Sequence, residues 1–289
     1  MNKLLILGAA ILLQSCSSVV DHTQTATLSD ADKKQLVAVT QSLPAAHQAR
    51  YVARHPVETL EFFGIKQGDT VVEALPGEGW YSKILLPYLG AEGRLIAVDY
   101  SLPMWPEFGG FATPEFIEKR KAWPAQFAVD AKTWGGANGA KGEAYTFADM
   151  PAELTGKVDA VLFIRALHNL ARFDAKGNYL KQALAETHRV LKPGGVVGIV
   201  QHAMAEDKPD AWADGSRGYL KRSYLISAMT AAGFEFVGEN DINKNPKDDP
   251  QADDNVWRLP PSLSGTEEQK AKNSAIGESN RVTLLFRKK

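Results

Sequence analysis

The chain has 289 residues, 33 of them Lys or Arg and 34 Asp or Glu, for a formal net charge of −1. That length buries a full core in one large or two small domains, and a balanced charge without a basic tract argues against nucleic acid as a partner. Cys16 is the only cysteine, which excludes an internal disulfide, a thiol nucleophile in the folded domain and a thiolate zinc site; no metal is expected.

The first segment reads as a processing signal. Lys3 gives a positive start, Leu4 to Leu13 an apolar stretch, and Leu13-Gln14-Ser15-Cys16 resembles a bacterial lipoprotein cleavage box. Residues 1–15 are then a signal peptide, and Cys16 becomes the lipidation site. Several acyl chains anchor a protein stably where one binds only marginally. Ser17 in place of Asp resembles lipoproteins sorted to the outer membrane. The expected location is therefore the bacterial envelope, facing the periplasm, with the membrane touched through the N-terminal lipid only. An ordinary secretory signal with an incidental cysteine is the alternative. Nothing downstream approaches the roughly 20 apolar residues that a membrane span needs. Residues 16–29 are polar and rich in Ser and Thr, a flexible tether to a domain over 30–289.

A helix is expected from Ser29 or Asp30, both good caps, to about Ser42. His55-Pro56 opens another over Val57–Phe63, with Pro56 in the first turn and Gly64 at the end. Leu60, Phe62 and Phe63 bury it, and His47 and His55 have surface or packing roles. Thr70 to Leu89 is the stretch around which the rest is organised. Val71-Val72-Glu73 is a strand, Gly77 and Gly79 make a turn, and Ile84-Leu85-Leu86 lie on a helix stopped by Gly90. Strand, glycine turn and helix form the first half of a nucleotide-binding βαβ unit. Only residues without Cβ let the backbone approach a ligand and take positive φ cheaply. A second strand, Arg94 to Asp99, ends in an acid twenty residues after Gly79. Asp99 there either accepts hydrogen bonds from ribose hydroxyls or caps the next helix.

Ser101 to Pro114 sets Trp105, Phe108 and Phe111 among prolines and glycines. These rings form either a lid over a ligand, which makes Trp105 a candidate substrate contact, or a satellite hydrophobic cluster. Phe116 to Trp134 reads as a helix broken or kinked at Pro124, Gly135 to Gly142 as a turn, and Glu143 to Phe147 as a third strand before Asp149. Val158–Ile164 is a buried strand followed four residues later by His168. His188 to Gly195 ends a helix and turns through Leu191-Lys192-Pro193-Gly194-Gly195 into the strand Val196–Gln201, which His202 ends. Met204 to Tyr219 is loop-like. Ser223 caps a helix over Tyr224–Ala232 that Gly233 ends, and Glu235–Glu239 is the next strand. Residues 243–280 are dominated by Pro, Asp, Asn and Lys, with Trp257 as the one anchor: a second lid, or partly disordered. Arg281 to Arg287 closes the sheet.

The segments VVEALPGEG, RLIAVD, VDAVLFIRALHNL and RVLKPGGVVGIV together resemble the class I S-adenosylmethionine-dependent methyltransferases. The likeness spans Pro56 to Asp241 and resumes at Arg281–Arg287. More narrowly, PGEGWYSKILLPYLG with AAGFEFVGENDINKNPKDD looks like a group of predicted bacterial methyltransferases with a P-G-x-G-W-Y motif. The resemblance implies a single α/β domain with a doubly wound, mostly parallel seven-stranded sheet of Rossmann-like type, its last strand antiparallel, and insertions at about 101–114 and 243–280. It implies S-adenosylmethionine as cofactor, with Glu73, Gly77 and Gly79 at its amino-acid end, Asp99 on the ribose and Asp149 on the adenine, unless Asp149 is a plain turn residue. Arg217 and Tyr219 fall where such enzymes build acceptor contacts, Arg217 suiting an anionic substrate or else standing solvated.

In the family's strand order (third, second, first, fourth, fifth, seventh, sixth) the strand ends before His168 and His202 are neighbours beside the methyl donor. Each histidine is then either a proton acceptor, with His202 preferred, or structurally hydrogen-bonded; Asn169 is a candidate polar anchor. In one departure, Leu75 followed by Pro76 occupies the first glycine position of the family's loop. The expected activity is methyl transfer to a small-molecule acceptor. A non-catalytic envelope binding protein on the same fold is the rival, because S-adenosylmethionine is made in the cytoplasm. A nicotinamide-dependent oxidoreductase shares the βαβ unit but not the third-glycine gap or LKPGG.

Overall fold

Alternate residues of the predicted strands face opposite ways, and the core divides accordingly. The computed structural model describes residues 28–289, so the signal segment, Cys16 and most of the tether lie outside the described residues. The first five strands are β1 (Thr70–Ala74), β2 (Arg94–Asp99), β3 (Lys141–Thr146), β4 (Val158–Ile164) and β5 (Leu191–Met204). Val72, Ile96, Val161 and Ile199 join one buried cluster, whereas Val71, Leu95, Leu162 and Val200 join another. A period of two with both sets apolar is the signature of a sheet covered on both faces.

Helices α1 (Asp30–Ser42), α2 (Ala45–Gln48), α3 (Tyr51–Arg54), α4 (Pro56–Phe63), α5 (Ser82–Leu89) and α6 (Pro114–Gly135) precede β3. Leu36 of α1, Phe63 of α4, Leu85 of α5 and Phe127 of α6 fill one cluster. The other face is covered by α7 (Leu167–Arg172), α9 (Tyr179–Val190) and α10 (Arg222–Ala231), with α8 (Asp174–Gly177) between the first two. On α9 the buried residues Leu180, Ala183, Leu184 and Thr187 recur at the i, i+3, i+4, i+7 spacing of a helix stripe. As expected, the Ser29 hydroxyl accepts from the Asp32 N–H at 3.1 Å to start α1. Pro56 opens α4, and Gly64 ends it at φ 70.

The remaining strands are β6 (Leu220–Lys221), β7 (Phe234–Asn240) and β8 (Arg281–Lys288). The sheet runs β3-β2-β1-β4-β5-β8-β7, with the two-residue β6 paired to the far end of β5. All pairings along the path are parallel except those of β8 with β5 and β7. This is the expected seven-stranded doubly wound order, plus one edge fragment. Its direction reverses between β1 and β4, which opens a crevice at the carboxyl ends of those strands.

Four local expectations are corrected. α6 runs unbroken through Pro124. Proline removes one backbone hydrogen bond, but Trp123, Phe127 and Trp134 pack in sequence on either side of it. LKPGG is not a plain turn, because β5 already pairs at Leu191 with Val158, bulges, and resumes pairing at Val196 with Ala160. β5 also continues past His202, which pairs with Arg281. Ser223 lies inside the first turn of α10 and donates to Glu206 at 2.5 Å, while Lys221 holds the cap position.

The segment between β7 and β8 is ordered around a buried acid. Asp248 accepts from the Tyr219 hydroxyl at 3.1 Å, from Arg258 Nη2 at 2.8 Å and from the Asn280 N–H at 2.9 Å. It contains α11 (Glu267–Ile276), closed at its start by a Thr266–Gln269 capping box. No helix among the described residues is long and apolar enough to cross a membrane.

Candidate functional site

The glycine turn after β1 is built from three left-handed residues. Leu75 has φ 55, Gly77 φ 59 and Gly79 φ 74. Leu75 therefore adopts the backbone that glycine would take, at a cost of about 1–2 kcal/mol. Its N–H still donates to the Val98 carbonyl at 2.7 Å, so the β1–β2 ladder is kept. The two glycines face different surroundings. A Cβ at Gly77 would meet no heavy atom within 4 Å, whereas one at Gly79 would lie 2.5 Å from the Trp134 ring. The bare face of Gly79 is filled by this chain, and that of Gly77 is open.

Below the turn, Glu73 is 3% exposed and accepts from the Ser82 hydroxyl at 2.6 Å. Burial pushes its carboxyl up to about 7, against the opposing pull of Ser82 and Arg165. Asp99 is also buried. One oxygen accepts from the Tyr100 N–H at 2.8 Å and the other pairs with the Arg120 guanidinium of α6. That guanidinium lies over the rings of Trp105 and Trp123, at 5.0 and 5.1 Å from their centroids. Asp149 is exposed and forms a tight turn, one oxygen accepting from Thr146 Oγ1 at 2.6 Å.

The aromatic loop after β2 is a 3-10 helix over Leu102–Phe108, and Trp105 packs edge-on to Tyr100 and Phe116 inside the main core. Its rings are thus part of the core; only Phe111 is largely exposed. Trp105 Nε1 and Asn169 Oδ1 are buried without a hydrogen-bond partner among the described residues. Asn169 Nδ2 donates to the Tyr100 hydroxyl at 3.0 Å. The open cradle at Gly77, the unsatisfied indole and amide atoms and the exposed Asp149 fit a polar organic cofactor. Arg120 on Asp99 is the contact that a ribose would have to displace.

The second half of the site stands at the ends of β4 and β5. Arg165 follows β4 with φ 59, its N–H donating to the Val200 carbonyl at 2.6 Å. Left-handed non-glycine backbone at a strand end is a form of strain that collects at functional sites. His168 and His202 both line a cavity of about 230 Å³, with ring centroids 5.6 Å apart. Gln201 Nε2 lies 3.5 Å from His168 Nδ1, and Ser279 Oγ lies 2.5 Å from His202 Nδ1. The pairing of His202 with Arg281 across β5 and β8 is what brings Ser279 to this ring.

Burial pushes His168 down to about 4, helped by Arg165 and Arg172 and opposed by Gln201. His202 is held well below its ordinary value by burial first and then by His168, Arg165, Arg281 and Arg54. Both imidazoles are neutral at pH 7.

Around them stands a group that sequence reading missed. Glu278 meets Arg50, Arg54, Arg281 and, at 3.6 Å, Arg165. Burial works to raise its carboxyl, but Arg54, Arg281, Arg165 and Arg50 together hold it below the usual range. Burial and neighbouring cations push Arg54 and Arg165 down to about 10. The signal for two of these was the i, i+4 pair Arg50 and Arg54, like charges that need a counter-ion on one helical face. Nothing local pointed to Glu278.

The expected acceptor contacts fare differently. Tyr219 is fully buried, its hydroxyl committed to Asp248, so it is not an open contact. Arg217 stands outside this cavity, with Nη1 buried and unpartnered among the described residues. Trp257, by contrast, lines the cavity from the β7–β8 segment, 6.2 Å from His168. The long insertion is therefore one wall of the site.

Residues 124–199, from Pro124 in α6 to Ile199 in β5, match the family model described as a methyltransferase domain. Ribosomal RNA small subunit methyltransferase H of Shewanella woodyi is 28% identical over 180 residues, which is 62% of this chain and 51% of that protein. The chain thus spans about half the length of this curated relative. Among solved structures, the cyclase SpnF is 16% identical with a TM-score of 0.47, covering 82% of this chain and 80% of its own. A SAM dependent methyltransferase from Aquifex aeolicus is 17% identical with a TM-score of 0.44, covering 73% and 93%. The strand order is that of a Rossmann-like methyltransferase fold, and the match over residues 124–199 to a methyltransferase domain supports S-adenosylmethionine as the cofactor.

Proposed function

We propose that this protein transfers a methyl group from S-adenosylmethionine to a small-molecule acceptor. The donor lies along the carboxyl ends of β1 to β3 and the acceptor at the ends of β4 and β5. The observation that carries this reading is a convergence across the point where the strand order reverses: an open glycine cradle at Gly77 on one side, two neutral imidazoles in a cavity on the other. S-adenosylmethionine supplies an activated methyl group on a sulfonium, and positioning falls to the protein. The Gly77 and Gly79 turn and Glu73 take the amino-acid end. Asp99 takes the ribose once Arg120 moves aside, and Asp149 the adenine. His202 accepts a proton from an O–H or N–H of the acceptor. With its Nδ1–H donating to Ser279 Oγ, its Nε2 is the nitrogen for that proton.

The test is transfer of label from methyl-labelled S-adenosylmethionine to a broad panel of small acceptors. Label in a small-molecule product is expected. Tight cofactor binding with no transfer would favour a non-catalytic binding protein; no cofactor binding would refute the donor site.

We also propose that Cys16 carries the lipid and that the domain works from the envelope, a reading supported by the cleavage-box residues alone. Cys16→Ser should leave the protein unprocessed or release it from the membrane fraction. Normal processing with an unchanged membrane fraction would reject the anchor.

A further inference from the structure

The four guanidiniums around Glu278 are not equivalent. Arg281 uses Nε on the Ser279 carbonyl at 3.2 Å, Nη1 on Glu278 at 3.2 Å and Nη2 on the Ala53 carbonyl at 2.5 Å. Arg50 closes on Glu278 through Nε, at 2.9 Å, and Nη2. Both are committed to the fold. Arg54 reaches the same carboxylate only through Nε, at 3.1 and 3.2 Å, which leaves its two Nη groups without a hydrogen bond among the described residues. The Arg165 guanidinium makes none among them, its nearest carboxylate oxygen being 3.6 Å away. Arg54 and Arg165 line the cavity; Arg50 and Arg281 do not. The open forks are the ones that face the space.

Charge points the same way. Four guanidiniums against one carboxylate leave three formal positive charges in a largely buried site. A buried charge without a counter-charge is strongly unfavourable, and an arriving anion removes that penalty. We propose that this cavity is a carboxylate-binding subsite, in which the forks of Arg54 and Arg165 hold the carboxylate of a small organic acid. Resting on the methyl-transfer reading above, that acid is the methyl acceptor. A planar guanidinium fork matches the two-oxygen edge of a carboxylate. At about 230 Å³, the cavity lies below the roughly 300–1,000 Å³ of pockets for drug-sized ligands, so the acid is small.

The subsite is wired to the glycine turn. Trp80, next after Gly79, lies under the Arg54 guanidinium at 4.6 Å, and His47 stacks on the Trp80 ring at 4.5 Å. The Tyr81 hydroxyl donates to the Arg54 carbonyl at 3.4 Å. Trp80 and Tyr81 thereby link the donor loop to an acceptor arginine, which gives the G-W-Y part of the turn a job. The bound carboxylate also offsets the arginine charges that add to burial in depressing His202, so the imidazole becomes a better proton acceptor when the substrate is in place.

The test uses benzoate, uncharged benzamide of the same shape, and phenyl phosphate, each titrated into the protein by calorimetry and thermal unfolding. Benzoate should bind saturably and raise the unfolding midpoint, with benzamide doing neither and phenyl phosphate binding more weakly. Arg165→Gln and Arg54→Gln should each weaken benzoate at least about tenfold, as expected when one partner of a desolvated charge pair is lost. Arg165→Lys, which keeps the charge without the fork, should fall between. Unliganded Arg165→Gln should unfold no earlier than wild type, because removing the charge relieves repulsion. A merely structural arginine would give the opposite result. Should Arg165→Gln not fold, Arg54→Gln decides. Equal responses to benzoate and benzamide, no response to benzoate, or undiminished binding in the variants would overturn the subsite; tighter phenyl phosphate would reassign it to phosphate. If the benzoate pattern holds while S-adenosylmethionine fails to bind, the subsite stands and the methyl-transfer reading falls.

Discussion

The two halves of the crevice treat their own charges in opposite ways. On the β1–β3 side each expected cofactor acid has a partner within the chain: Glu73 has Ser82, Asp99 has Arg120 and Asp149 has Thr146. On the β4–β5 side cations outnumber the single carboxylate Glu278, and two histidines are kept uncharged in their midst. The donor half is thus stable as it stands, and its ligand must compete with internal contacts. The acceptor half holds charge that its own side chains leave unbalanced. On the reading proposed above, a cofactor of moderate affinity and an anionic second ligand are expected from that difference.

The largest effect should come from the acceptor half. His202→Gln is expected to leave S-adenosylmethionine affinity unchanged and to lower turnover by a factor of about 10²–10⁴, the usual cost of losing a general base. Unchanged turnover would make the imidazole structural. Because burial, His168 and nearby arginines hold His202 well below its ordinary value, its part in turnover should stay flat as pH falls through 6.5. A pH–rate profile with its acid limb at 6.5 would contradict this.

The next contrast lies within the glycine turn. Gly79→Ala meets both a left-handed backbone and the Trp134 ring at 2.5 Å. It should cost about 2–5 kcal/mol of stability in urea unfolding, from about 1–2 for the backbone and about 1–3 for overpacking. Gly77→Ala meets the backbone term alone, about 1–2 kcal/mol, and should act mainly on cofactor affinity. Trp134→Leu should recover part of the Gly79→Ala loss and none of the Gly77→Ala loss. Equal losses in the two glycine variants would break the distinction between a filled and an open cradle.

Glu73 offers a smaller, pH-resolved test. The buried carboxyl titrates at about 7 against an ordinary value of 4.5, so between those values the folded state binds more protons than the unfolded one. Stability therefore falls as pH rises through that window, by an amount on the order of 3 kcal/mol for this group. Glu73→Gln, which keeps an acceptor for Ser82, should match wild type near pH 4 and exceed it at pH 8. His168 acts with the opposite sign: its depressed value contributes stability that is full above 6.5 and lost as pH falls toward 4. A Glu73→Gln variant no more stable than wild type at pH 8 would show that burial does not penalise the ionised carboxyl.

The fold was legible because its signals are local. Val71–Val72 and Val158–Ile164 are apolar runs of strand length, Pro56 and Gly64 mark the two ends of α4, and Asp99 ends β2 where a ribose acid is expected. The site was only half legible because its decisive contacts join distant segments. Glu278 and Arg50 are 228 residues apart, and no period or motif connects them. Arg120 and Trp134 are unremarkable positions on a helix until that helix is laid against Asp99 and Gly79. On sequence grounds Arg217 suits an anionic substrate or stands solvated, whereas Arg54 and Arg165 are the arginines that line the cavity. Tyr219, expected among the acceptor contacts, is instead buried against Asp248, a partner contributed by the insertion. Pro124 stays in α6 because tryptophan and phenylalanine packing on both sides outweighs one lost hydrogen bond.

The most direct test of the division into a self-satisfied donor half and an unbalanced acceptor half is calorimetric titration of S-adenosylmethionine into wild type, Asp99→Ala and Arg120→Gln. Asp99→Ala should bind about 1.5–3 kcal/mol more weakly, the range for lost hydrogen bonds to a charged group. Arg120→Gln should bind more tightly than wild type, because the ribose no longer competes with a guanidinium for Asp99. Wild type that takes up no S-adenosylmethionine, or an Arg120→Gln variant that binds it more weakly while Asp99→Ala is unaffected, would contradict the account.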